Sequence, residues 1–68
     1  MIKLYDENGK MIEGNWKLCK KILLKYDEKN PFEHDEIIKD TVQNLAKEYN
    51  VDYDDVVKTV ELLSGIQL

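Results

Sequence analysis

Ile2 and Leu4 near the start of this chain lie two residues apart, the spacing of one strand face, and from residue 16 onward apolar residues recur at helical spacing. In residues 2–13 the loop Asp6-Glu7-Asn8-Gly9-Lys10 fits a type I turn followed by Gly9 in the left-handed conformation, which predicts a β-hairpin. That register sets Leu4 opposite Ile12 and Tyr5 opposite Met11. It gathers Ile2, Leu4 and Ile12 on the face expected to be buried, with Tyr5 and Met11 on the outer one. A two-residue Asn8-Gly9 turn would instead pair Leu4 with Glu13, a poorer pattern. An isolated hairpin is marginal in water, so this one must lean on helices.

Helix 1 is expected from Trp16 to about Tyr26, with Asn15 as its cap. At 100° per residue Trp16, Leu18, Cys19, Ile22, Leu23 and Tyr26 share an arc of about 160°, while Lys17, Lys20, Lys21 and Lys25 fall on the other side. Leu24 lies among the lysines. The sequence Asn30-Pro31-Phe32-Glu33 marks a boundary: Asn30 is pushed out of the helical region by the proline, Pro31 takes the first helical position, and Glu33 completes a capping box. Helix 2 then runs from residue 31 to about Tyr49, with Ile38, Val42, Leu45 and Tyr49 inward and Ile37, Thr41 and Ala46 flanking. Asp35 and Glu36 suit the dipole of its first turn.

The next corner is defined by its own chemistry. Asn50 suits the left-handed position past a helix end, and Asp52 is placed to accept the Asp55 amide as an N-cap. Val51 and Val56 are spaced as a hydrophobic staple. Helix 3 is expected over residues 53–63, burying Tyr53, Val56, Val60 and Leu63. Ser64-Gly65 ends it, and Ile66 folds back as in a Schellman motif. The expected fold is thus one α+β domain, mostly α: a hairpin, then three helices with a helix-turn-helix corner between the second and third.

Sixty-eight residues make one domain with little core to spare. No apolar run approaches the roughly 18 residues of a membrane span, and residues 1–6 turn acidic too early for a signal peptide. A single cysteine, Cys19, excludes an internal disulfide and fits a reducing cytoplasm. Charge changes the picture more. The net −4 is divided unevenly, seven Lys against five acids in residues 1–30 and three Lys against nine acids in residues 31–68. There is no Arg, the usual reader of guanine and phosphate, which counts against nucleic acid as a partner.

Candidate chemistry is sparse. Used on DNA, helix 3 would bring Asp52, Asp54, Asp55 and Glu61 toward phosphates with only Lys58 in reply, against the cation requirement of counterion release. The lysines of helix 1 read as a solvated face, or else a patch for nucleic acid or an acidic protein. His34, the only histidine, lies near the start of helix 2 with no partner for general-base work. Cys19 falls on a buried face without a neighbouring base. A calcium loop counted from Asp52 fails, because Val56, Val57 and Leu63 occupy the later ligand places. No metal, cofactor or catalytic constellation is expected, and the chain does not read as an enzyme.

The succession of strand, turn, strand and three helices resembles the PqqD-like peptide-recognition domains. The residues that carry the resemblance are Asn15, Ile22-Leu23, Asp27, Glu36-Ile37-Ile38, Leu45, Tyr49-Asn50-Val51, Asp55-Val56, Leu63 and Gly65-Ile66. In that family a leader peptide adds to the sheet edge and lies against the third helix. The resemblance therefore implies partner contacts at Lys10, Met11 and Ile12 on the strand and at Val57, Lys58 and Glu61 on helix 3. The family's usual third strand has no counterpart here, and Lys29-Asn30-Pro31 replaces its short glycine turn.

Apolar residues without an evident core position, namely Tyr5, Met11, Leu24, Val57, Leu62, Ile66 and Leu68, also point to a partner or a homodimer surface. The expected function is a small non-catalytic interaction domain that binds a protein or peptide through the hairpin edge and helix 3. Two rivals are a winged helix-turn-helix DNA-binding regulator and a small acidic, phage-type inhibitor. The inhibitor's Asp54, Asp55 and Glu61 would occupy a nucleic-acid site on an enzyme.

Overall fold

The computed structural model describes residues 1–29 and 35–64, apart from the side chains of residues 35–37 and 64. Three helices follow one another: α1 (Trp16–Lys29), α2 (Asp35–Glu48) and α3 (Tyr53–Ser64), each packed against the other two. The expected boundary at Asn30-Pro31-Phe32-Glu33, His34, the dipole and flanking roles of Asp35, Glu36 and Ile37, and the stop at Ser64-Gly65-Ile66 lie outside the described residues.

The expected β-hairpin is not formed. Among the described residues there is no β-strand, and the fold is all-α rather than α+β. Residues 2–12 make two isolated bridges, Tyr5 antiparallel to Met11 and Ile2 parallel to Val51. The reason lies in where the backbone groups go. Only two backbone–backbone hydrogen bonds link the limbs, Asp6 N–H to Lys10 O and Ile12 N–H to Leu4 O. The Ile2 amide donates instead to Asn50 O at 2.7 Å, and the Ile2 carbonyl accepts from Asp52 N–H. The Leu4 amide donates to the Asp55 carboxylate, and the Lys3 carbonyl accepts from the Asn15 side chain. With those groups engaged elsewhere, a ladder cannot extend past one pair.

The turn itself is tightly made. Gly9 N–H donates to Asp6 O, the Asp6 carboxylate accepts the Asn8 and Lys10 amides, and Gly9 sits at φ 80°. The faces differ from the expected alternation. Leu4 and Tyr5 are both buried, whereas Ile2 and Ile12 are about two-fifths exposed, by 41% and 38%. Tyr5 turns inward because a buried hydroxyl, Thr59 on α3, pairs with its own.

Helix α1 runs one turn further than expected, to Lys29. It buries Cys19, Ile22 and Tyr26, with Leu18 packed against the same cluster, while Trp16 is 54% exposed. α2 contributes Ile38, Thr41, Val42, Leu45 and Ala46 to the interior, and α3 contributes Asp55, Val56, Thr59 and Val60. Tyr53 and Leu63, expected inside, are instead partly exposed, by 38% and 37%.

The α2–α3 corner closes as a Schellman motif. Asn50 adopts φ 53°, its amide bonds Lys47 O, and the Val51 amide reaches back to Ala46 O at 2.9 Å. Val51 and Ala46 are both buried there, and Val51 shares the core cluster with Val56. Asp52 caps α3, with its carboxylate accepting the Asp54 amide at 2.9 Å and the expected Asp55 amide as a weaker second donor.

The described backbone measures 31 × 22 × 18 Å, so its shortest dimension holds two helix layers at about 8–10 Å spacing. The core is therefore one layer of interdigitated side chains. Leu45→Ala, at a fully buried position, is expected to cost about 2–5 kcal/mol, enough to leave so small a domain largely unfolded in a urea titration. Leu62→Ala, on a side chain 63% exposed, is expected to stay within about 0.5 kcal/mol of the parent.

Candidate functional site

The chemistry-bearing side chains collect where the N-terminal segment lies on α3. Residues 55, 58 and 59 share one side of that helix by their spacing, and the segment crosses them. The buried Asp55 carboxylate accepts the Leu4 amide at 2.7 Å. The Thr59 hydroxyl donates to the Asp55 carbonyl one turn back at 2.8 Å, which leaves its oxygen to accept the Tyr5 hydroxyl at 2.9 Å. The Lys58 ammonium donates to Gly9 O at 3.0 Å and stands 4.7 Å from the centre of the Tyr5 ring. At the rim, the Lys3 ammonium bonds the Asp52 carboxylate at 3.0 Å.

Titration behaviour follows from these partners. The Lys3 hydrogen bond, aided by the Asp54 amide, holds the Asp52 carboxyl below the usual range, and the same bond raises Lys3. Burial pushes the Tyr5 hydroxyl up, and burial likewise raises the Cys19 thiol, which lies beside the Thr59 and Tyr5 hydroxyls. A thiol raised in this way stays protonated at neutral pH and is a poor nucleophile. The network is a set of mutually satisfied polar groups that fastens a segment. Among the described residues, no group of three or more His, Cys, Asp or Glu is placed to hold a metal ion.

The six residues assigned to partner contact are dispersed by this arrangement. Lys10, Ile12 and Glu61 are exposed. Met11 and Val57 are half-buried and packed against the core. Lys58 is engaged internally at Gly9 and Tyr5. The structure brings Lys58 to the turn beside Lys10 and Met11, but as a clamp within the molecule. Of the acids proposed for an inhibitor face, Asp54 and Glu61 are exposed while Asp55 is buried.

Grooves lined by the described residues include two on the surface. One, of about 610 Å³, lies at the α2–α3 corner and is lined by Met1, Gln43, Ala46, Lys47, Asn50, Val51 and Tyr53. The other, of about 480 Å³, lies beside α1 and is lined by Lys21, Leu24, Lys25, Glu28 and Tyr49. Sequence reasoning missed the first, because it needs Met1 carried to α2 by the Ile2–Val51 bridge. It also missed the buried pair Asp55 and Thr59, although both share the arc of Val56 and Val60. No described helix is long and apolar enough to cross a membrane. No family model, curated protein or solved structure matches the chain.

Two outcomes are expected of the network. Asp55→Ala leaves the buried Leu4 amide without an acceptor and is expected to cost about 1–3 kcal/mol in urea unfolding, whereas Asp55→Asn, which retains an acceptor oxygen, is expected to cost less. The second concerns alkaline pH. Cys19 and Tyr5 both titrate above their ordinary values of 9.0 and 10.0, so the folded chain holds protons that the unfolded chain releases. Their contribution is complete below those values and is lost as pH rises through the folded ones. The urea midpoint is expected to fall above pH 9, with a flatter profile in a Cys19→Ala, Tyr5→Phe double variant.

Proposed function

We propose that this chain is a small non-catalytic interaction domain that receives a protein or peptide at the α2–α3 corner and along the outer side of α3. The groove at that corner is the observation that supports it. Val51 is fully buried at its base and Ala46 nearly so, and Met1 and Tyr53 are exposed around them. Lys47 supplies a cation at the same place, with no ion pair among the described residues. From Tyr53 a ridge continues through Val57 to Glu61 at i, i+4 spacing. Such a surface suits a peptide that presents an apolar side chain next to a carboxylate.

This reading keeps Val57 and Glu61 as contact residues and releases Lys58, whose ammonium is already engaged. Addition of a strand to a sheet edge has no part in it, since the described residues contain no sheet. The DNA-binding alternative meets exposed Asp54 and Glu61 on the helix that would enter the groove. The inhibitor alternative loses one of its three carboxylates to the interior. A buried free thiol at Cys19 suits a reducing compartment such as the cytoplasm.

Site-specific photocrosslinking tests the reading. A benzophenone side chain at position 53, in the native host, is expected to give discrete protein adducts that a probe at the exposed Asp27 does not give. Lys47→Glu is expected to reduce their yield about tenfold. Nuclease-sensitive adducts, or equal labelling from both positions, would overturn the proposal.

A further inference from the structure

The outer face of α1 carries a second feature that shares no residue with the corner groove. The geometry points to a docking site there for an acidic amphipathic segment of a partner protein, anchored on Leu24. Trp16, Lys20 and Leu24 follow one another at i, i+4 spacing, flanked by Lys17, Lys21 and Lys25. Leu24 is 59% exposed at the centre of this face, away from the arc of Cys19, Ile22 and Tyr26. Among the described residues Lys17, Lys20 and Lys21 have no ion pair, and Lys25 meets only Glu28, at 3.8 Å. Beside them the groove of about 480 Å³ is walled by Leu24 and by Tyr49 from the end of α2.

Charge and shape select the occupant. Four lysines within about two turns repel one another, and carboxylates set three or four residues apart on a partner helix would relieve that repulsion. An apolar side chain between those carboxylates would fill the slot between Leu24 and Tyr49 and remove Leu24 from water. A nucleic-acid backbone has no such group to offer and would find no Arg in the chain. Trp16 and Leu24 alone are too few for a membrane-embedded face.

The probe is a roughly 16-residue helical peptide carrying leucines at i, i+4 flanked by glutamates, titrated into the full chain at about 50 mM salt. Amide shifts are expected across residues 17–25 and at Tyr49. Leu24→Ser and a Lys17→Glu, Lys21→Glu double variant are each expected to weaken binding about tenfold without lowering the melting temperature, since these side chains are exposed. A serine-for-leucine version of the peptide is expected to bind about tenfold more weakly. Equal affinity for the two peptides would reduce the effect to bare charge and overturn the proposal. So would the absence of shifts at millimolar peptide, or tighter binding of duplex DNA or phosphatidylserine vesicles to the same face. Shifts confined to the corner would overturn it too, while leaving the corner groove's own role standing.

Discussion

The hydrogen bond from the Leu4 amide to the Asp55 carboxylate is the contact on which the rest of this small structure rests. Residues 1–14 form no helix or strand and satisfy only part of their backbone among themselves, yet two of the core side chains, Leu4 and Tyr5, come from them. A buried amide without a partner carries a penalty comparable to the whole benefit of burying a leucine, so Leu4 can enter the core only if an acceptor waits there. Asp55 is that acceptor. It stands in the first turn of α3, where the helix dipole favours its negative charge. At this position an acid often reaches back to its own helix's cap; here it reaches across to another segment. Tyr5, Thr59 and the Lys58 clamp on Gly9 then follow from the placement it fixes.

What the sequence made legible was what depends on near neighbours. Ile22 and Tyr26, Val42 and Leu45, and Val56 and Val60 were readable as interior because helical periodicity is local and each pair repeats within one turn. The corner was readable for the same reason: Asn50 and Asp52 act on amides only a few residues away. Residues 2–12 were misread because their local pattern, a turn with Gly9 at its end, is genuine but decides only one cross-pair. The Ile2 and Leu4 amides bond to residues 50 and 55, a separation that no local pattern carries. The candidate site suffered the same way. Asp55 looked like one more surface acid, and Tyr5 like an outward residue, until the chain folded back between them.

Charge gives the molecule two unlike ends. The lysines of α1 are collected on its outer face, while the exposed carboxylates Asp54 and Glu61 lie on α3. Lys3 and Asp52, which tie the N-terminal segment to the start of α3, form the one ion pair among the described residues that carries a titration shift. The pairs Lys25–Glu28 and Lys29–Glu48 are longer and exposed, and such pairs contribute little. Most of the charge is therefore available for steering partners rather than for holding the fold, and the two faces would steer partners of opposite sign.

Thickness decides what kind of work such a molecule does. With one layer of side chains between its helices, an enclosed cavity would come directly out of the contacts that keep it folded. The reactive groups nearest the centre show the consequence: the Cys19 thiol and the Tyr5 hydroxyl are raised by the same burial that makes them useful as packing, and so are taken out of neutral-pH chemistry. What is left to act lies on the outside, in Leu24 and its lysines, in Tyr53 and the corner beneath it. On the reading proposed above, those would be surfaces of contact. A domain whose interior is fully engaged in its own stability could still distinguish partners, because discrimination needs only that exposed groups be held in fixed relation, and the clasp of Leu4 on Asp55 ties the N-terminal segment to α3.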